Sequence, residues 1–148
     1  MKRLLLTALV SLVAGLLAVA PASAQTMPNA VAQEILVKAS LLTFNDANVT
    51  GIYTVLHAKL SKPFRDQYTP DKLKQVFKAF NEQKIDFDLI AAKPLVPTAE
   101  AQIKNGVLML RGYFDTSPSR VTYELDFMIS EGEWKLSNLN VKVKPPGE

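Results

Sequence analysis

The chain reads as an α+β domain in which helices come first and an antiparallel sheet follows. Three observations carry that reading. Apolar residues recur at helical spacing from about residue 31 to residue 80. After Ile85 the period changes to two. Two turns then set the last three extended segments in a register that keeps one face apolar throughout.

Pro28-Asn29 precedes a helix-period stretch with Val31, Ile35, Leu36, Ala39 and Leu42 on one face, and Asn45-Asp46 is expected to end it and cap the next. Ile52, Val55, Leu56 and Leu60 repeat at helical spacing past Gly51. Ser61-Lys62-Pro63 should stop this second helix, because proline lacks the amide donor and restricts the residue before it. Thr69-Pro70-Asp71 predicts a third start: a hydroxyl N-cap, proline in the first turn, and a carboxylate at the positive dipole end. Leu73, Val76, Phe77 and Phe80 form its expected buried face.

Ile85, Phe87 and Leu89 alternate with Asp86 and Asp88, as in a half-buried strand. Residues 95–103 read as a weaker, proline-broken edge strand. Strands 107–115, 120–130 and 133–144 follow, giving three helices on a curved sheet of about four to five strands. With 116–119 as a four-residue loop, Phe114 opposes Val121, Leu110 opposes Leu125 and Leu108 opposes Phe127. Arg111 and Glu124 then oppose each other on the solvated face. Glu131-Gly132 makes a two-residue hairpin loop that sets Ile129 against Trp134 and Phe127 against Leu136. Beyond Leu136 the alternation slips by one, which a β-bulge at Ser137-Asn138 would absorb.

The N-terminal 24 residues have the layout of a cleavable export signal. Lys2 and Arg3 precede a run over 4–20 that is apolar apart from Thr7 and Ser11, and Ala22-Ser23-Ala24 offers a small-x-small cleavage site. The other reading, an uncleaved anchor, is disfavoured by Pro21 and the small residues after it. Residues 25–148 are therefore expected to be one domain, periplasmic or secreted. Without Lys2 and Arg3 the chain keeps 15 of its 17 basic residues against 14 acidic ones, a net charge of +1. The charges are mixed along the chain, which argues against nucleic acid as a partner. No later stretch is long enough to span a membrane. The chain has no cysteine, so lipid-modified lipoproteins, disulfides and thiolate metal sites are excluded. No metal and no cofactor is expected.

The order of elements resembles the nuclear transport factor two-like superfamily, a cone-shaped α+β fold. The resemblance is carried by Leu41-Leu42-Thr43-Phe44-Asn45-Asp46, by the Gly51-Ile52-Tyr53 helix after it, and by the run from Leu56 to Phe64 into Arg65. The last strand, from Gly132-Glu133-Trp134 to Asn140-Val141, is similar to that of its small secreted members. That superfamily includes steroid isomerases, dehydratases, polyketide cyclases, transport adaptors and many exported proteins, so the resemblance implies a fold and not a reaction.

Candidate site residues are few. His57, the one histidine, lies four residues after Tyr53, and the pair could orient a ligand or shuttle a proton at the cone mouth; the plainer alternative is a histidine without a role. One histidine without cysteine makes no zinc site. Tyr123 falls on the apolar face opposite Gly112, where it either leaves room for a ligand or simply covers the glycine. In Pro63-Phe64-Arg65-Asp66-Gln67-Tyr68, Arg65 could grip an anion; the alternative is a connector, with Phe64 and Tyr68 plugging the core and Arg65 paired to a carboxylate. Met109, Tyr113 and Met128 lie on the outward sheet face and could form an interface, which in the resembling superfamily is often a sheet-to-sheet homodimer; isolated exposed apolar residues are also ordinary.

Glu124 and Asp126 turn outward in this register, Asp86 and Asp88 alternate away from the core, and Asp115 has Arg120 beside it. Nothing acidic converges inside, which disfavours acid–base catalysis. The leading expectation is thus a non-catalytic exported domain binding a small apolar ligand. The rivals are an isomerase or dehydratase using the same cavity, and a homodimeric or partner-binding envelope module working through its sheet face.

Overall fold

The computed structural model describes residues 25–144; the export signal read in residues 1–24 lies outside the described residues. The α+β arrangement is present, with the helices N-terminal to a five-stranded antiparallel sheet. The helical part is more finely divided than the three helices expected. It comprises α1 (Ala30–Thr50), α2 (Thr54–Lys59), α3 (Lys62–Gln67), α4 (Pro70–Val76), α5 (Lys78–Glu82) and a 3-10 turn at Asp88–Ala92. The strands are β1 (Val96–Pro97), β2 (Gln102–Lys104), β3 (Val107–Phe114), β4 (Arg120–Ser130) and β5 (Glu133–Lys144).

Helix α1 starts where Asn29 Oδ1 accepts from the Ala32 amide at 2.9 Å, and it ends at Gly51, whose φ of 72° suits a left-handed cap. It runs straight through Asn45-Asp46, so the stop expected there is not one. The Asn45 side chain is instead spent on a distant segment: Nδ2 donates to Asp86 Oδ1 at 2.8 Å, and Oδ1 accepts from the Phe87 amide at 2.8 Å. The inward face also differs from the expected one. Val37, Leu41, Phe44 and Ala47 are buried, whereas Val31 and Ile35 are 68% and 61% exposed. Phe44 anchors an aromatic cluster, with ring centroids 4.6 Å from Phe77 and 5.3 Å from Phe80.

Ser61-Lys62-Pro63 ends α2 as expected, yet the same residues open α3, because proline in the first turn of a helix forfeits no intrahelical bond. Thr69 caps α4 by accepting from the Lys72 amide at 3.2 Å. Of the face expected behind it, Leu73 is buried and Val76 points out; Ile52, just before α2, and Val55 within it also face solvent, leaving Leu56 and the C-cap residue Leu60 to the core. The strand expected around Ile85–Leu89 does not form. Phe87 is buried and Leu89 exposed, and the backbone turns into the 3-10 segment, held by the two Asn45 bonds in place of a strand neighbour.

The sheet order is β1-β3-β4-β5, with β2 also on β3. The registers of the last three strands are those expected: Leu108↔Phe127, Leu110↔Leu125, Arg111↔Glu124, Gly112↔Tyr123 and Phe114↔Val121, then Ile129↔Trp134 and Phe127↔Leu136. The pairing slips between Asp126 and Phe127, leaving Ser137 as the extra residue of a bulge. Glu131 and Gly132 both have positive φ, 56° and 83°, as a type I′ hairpin turn requires. The apolar faces of β3, β4 and β5 meet α1 and α2 in one core that includes Leu110, Phe114, Tyr123, Leu125 and Leu136.

The edge beside β3 is interrupted. Pro97 pairs with Gly112 and Gln102 with Met109, so residues Thr98 to Ala101 span a gap that on β3 holds only Leu110 and Arg111. Four residues facing two must bow away from the sheet. Pro97, lacking an amide hydrogen, cannot continue the ladder, and the Thr98 amide makes a last bond to the Arg111 carbonyl at 3.1 Å.

Candidate functional site

That bow opens a pocket of about 430 Å³ between the first turns of α1 and the sheet edge. Val37, Leu95, Pro97, Ala101 and Leu110 make its walls largely apolar, and Gln33, Thr98, Glu100 and Tyr123 add polar atoms. The size lies within the roughly 300–1,000 Å³ of ordinary small-molecule sites. Leu110 faces inward because it sits on the buried phase of β3, and Val37 because it sits on the inward stripe of α1.

Tyr123 is 1% exposed and lies across from Gly112. A methyl group at residue 112 would collide with Tyr123 Oη and the Val96 carbonyl oxygen, so the ring covers the glycine and still lines the pocket. Burial raises the Tyr123 pKa well above the usual phenol range. Glu100, which is exposed, and Arg111 are the charged residues lining the pocket. The Arg111 guanidinium donates to the Leu125 carbonyl at 2.8 Å and pairs with Asp126 at 2.6 Å. Glu124, directly opposite Arg111, instead accepts from Asn140 at 2.9 Å.

The other candidate ligand-binding residues are not at this pocket. Tyr53 is buried at the start of α2, stacked against Phe77 at 6.4 Å, and its hydroxyl donates to Asn48 Oδ1 at 2.5 Å. Burial pushes its pKa up to about 12. His57 turns toward α3, where Nε2 lies 3.4 Å from the Arg65 carbonyl oxygen. Tyr53 and His57 therefore make their contacts with different parts of the fold. Phe64 packs edge-on to Tyr68 at 5.1 Å and lines a separate recess of about 350 Å³ with Met128 and Ser137.

Arg65 works as the connector reading had it. It donates to the Leu60 carbonyl at 2.8 Å and pairs with Glu131 at 2.9 Å, tying α3 to the β4–β5 turn. Lys135 reaches the same carboxylate at 2.6 Å, and these two partners hold the Glu131 carboxyl below the usual glutamate range. On the outer sheet face Met109, Tyr113 and Met128 are each half-buried within the chain, and the Arg120 guanidinium lies 4.1 Å over the Tyr113 ring.

Among the described residues no three His, Asp or Glu side chains cluster in a metal-binding arrangement, and no helix is long and apolar enough to cross a membrane. The walls supplied by Gln33, Val37 and residues 95–101 were not foreseen from sequence. Two signals pointed there: prolines 94 and 97 in an edge segment, and Asn105-Gly106, whose φ values of 51° and 77° make the tight β2–β3 turn and so fix where the edge strand resumes. Comparison of the chain with protein-family models, with curated proteins and with solved structures yields no match.

Proposed function

We propose that the chain is an exported, non-catalytic domain of the nuclear transport factor two-like kind that holds one small, mostly apolar molecule between α1 and the interrupted sheet edge. The observation that carries this reading is the pocket of about 430 Å³ where residues Thr98 to Ala101 bow off β3. Its walls are apolar enough to reward burial of a hydrocarbon body at about 25 cal/mol per Å². Binding rather than catalysis is supported by the dispersal of the titratable groups. His57 and Tyr53 face other parts of the molecule, and the carboxylate at the pocket, Glu100, is exposed and not enclosed with an acid–base partner. Export to the periplasm or beyond rests on the basic, apolar and small-residue order of residues 1–24.

The test is a thermal-shift screen of the purified protein against fatty acids, aromatic acids and steroids, run beside an Ala101→Trp variant whose ring fills the pocket. A ligand at about 100 times its Kd stabilises the fold by about 2.7 kcal/mol. The expected result is a raised midpoint in the parent that is lost in the filled variant. A screen that moves neither protein, or both equally, contradicts the reading.

A further inference from the structure

We infer that the recess between α3 and the bulge of β5 is a second binding site, separate from the pocket under the bowed edge, and that it takes one neutral sugar ring whose hydroxyl pairs with Ser61. The recess holds about 350 Å³, within the roughly 300–1,000 Å³ of ordinary small-molecule sites. It lies where the chain leaving α2 is tied to β5. The Ser61 amide donates to the Leu136 carbonyl at 2.9 Å, and directly after Leu136 the extra residue Ser137 interrupts the pairing with β4. Ser61 is wholly buried, whereas the other lining residues are half-buried or exposed, so it marks the inner end of the recess. Its backbone is committed at both ends, since its carbonyl accepts from the Arg65 amide at 2.9 Å. Its hydroxyl is not: among the described residues it has no partner. Ser61 precedes α3 without making a capping bond, and Pro63, two residues on, has no amide to give. A hydroxyl buried unpaired forfeits the bond it had with water, and a ligand hydroxyl restores it.

The rest of the lining sets the class. Its polar groups are the hydroxyls of Ser61, Tyr68 and Ser137 and the carboxamides of Gln67 and Asn138, and each of these residues can both donate and accept. No lining residue carries a charge. The charges nearby are spent within the fold: Lys62 pairs with Asp66, while Arg65 and Lys135 share Glu131. Lys72 lies over the Tyr68 ring at 4.9 Å and donates to the Gln67 carbonyl at 3.2 Å. An ionised ligand would find no opposite charge in the lining, and a pure hydrocarbon would cover these amides and hydroxyls without replacing their bonds to water. Phe64, packed edge-on to Tyr68 at 5.1 Å, and Met128 supply apolar wall between the polar groups. Neutral groups that donate and accept, set around aromatic carbon, match a ring with hydroxyls on its edge and C–H groups on its faces.

Backbone amide NMR of the purified protein tests this by titration with the methyl glycosides of glucose, galactose, mannose and N-acetylglucosamine, beside methyl glucuronide and cyclohexanol. At least one neutral glycoside is expected to shift the signals of Ser61, Phe64, Ser137 and Asn138, and to bind more tightly than the glucuronide or cyclohexanol. Ser61→Ala should weaken that glycoside about three- to tenfold, the worth of one net hydrogen bond, and leave the urea midpoint of the free protein unchanged. Gln67→Trp, at an exposed lining position, should abolish binding, while Ala101→Trp in the other pocket should leave it as it was. No neutral glycoside shifting these signals, the glucuronide or cyclohexanol binding tightest, or an affinity that Ser61→Ala or Gln67→Trp leaves intact overturns the inference. So does a lowered urea midpoint in Ser61→Ala, which would mean that the hydroxyl already serves the fold.

Discussion

Tyr123 occupies, from the neighbouring strand, the space that a side chain on Gly112 would need. The two residues are direct partners across β3 and β4, and even one carbon added to Gly112 would press on the phenol and on the Val96 carbonyl. Gly112→Ala should therefore destabilise the fold by about 1–3 kcal/mol, as overpacking does, because a backbone oxygen in a sheet cannot move aside cheaply. Urea unfolding checks this. A variant within a few tenths of a kcal/mol of the parent would mean that the edge at Val96 yields easily.

Asn45 closes two bonds to the segment that follows α5. Replacing it with alanine strips the buried Phe87 amide of its acceptor, and the expected cost is about 1–3 kcal/mol. Hydrogen exchange at the Phe87 amide should speed up in Asn45→Ala, while Asp46→Ala, one residue away and exposed, should leave both stability and exchange close to the parent.

Glu131 gives a pH dependence of definite sign. Its folded pKa is depressed by hydrogen bonds from Lys135 and Arg65, so the unfolded chain takes up the proton first as pH falls. The contribution is present above the ordinary glutamate value of about 4.3 and is lost as pH drops through the lower, folded value. In urea titrations the parent should lose stability over that acid range more steeply than Glu131→Gln. The group is exposed, so the difference is expected to be small and to shrink in high salt.

Tyr53 acts at the other end of the scale. In the folded chain it ionises at about 12, against about 10 for an unperturbed tyrosine, so between those values the unfolded chain gives up its proton first. The contribution is complete below about pH 10 and disappears as pH rises toward 12; Tyr123, whose pKa is raised also, adds to the same slope. Phenolate absorbance followed against pH should lose its most alkaline part when Tyr53 or Tyr123 is replaced by phenylalanine. Loss of absorbance near pH 10 in either variant would contradict the burial of that ring.

The sheet was legible because several constraints coincide there. Period-two patterning, a Glu131-Gly132 turn and a one-residue slip after Leu136 admit one register with the apolar face intact, and a shift by one would have exposed Leu110, Leu125 and Leu136 together. The helical half lacked such cross-checks. Val31 and Ile35 continue the helical period and mimic a buried stripe, yet the inward direction is set by Phe44 and its aromatic partners Phe77, between α4 and α5, and Phe80 in α5, which local spacing does not reveal. Asn45 looks like a cap because its side chain can serve its own backbone; here it serves residues 86 and 87 instead. Pro63 ends one helix and begins another, and only the chain direction afterwards distinguishes the two roles. The pocket escaped notice for a related reason. Its walls come from a segment whose lack of pattern looked like weakness, and a strand edge that fails between Pro97 and Gln102 is visible only when both ends are seen to return to β3.

Methyl NMR of the purified protein during titration with adamantanone tests the central claim most directly. The account predicts that the perturbed signals are those of Val37, Leu95 and Leu110, which line the space under the bowed edge, with Leu56 and Leu60 unmoved. Perturbations centred instead on Ile35, Leu36 and Leu136 beside Trp134, or an unchanged spectrum at saturating probe, would contradict it.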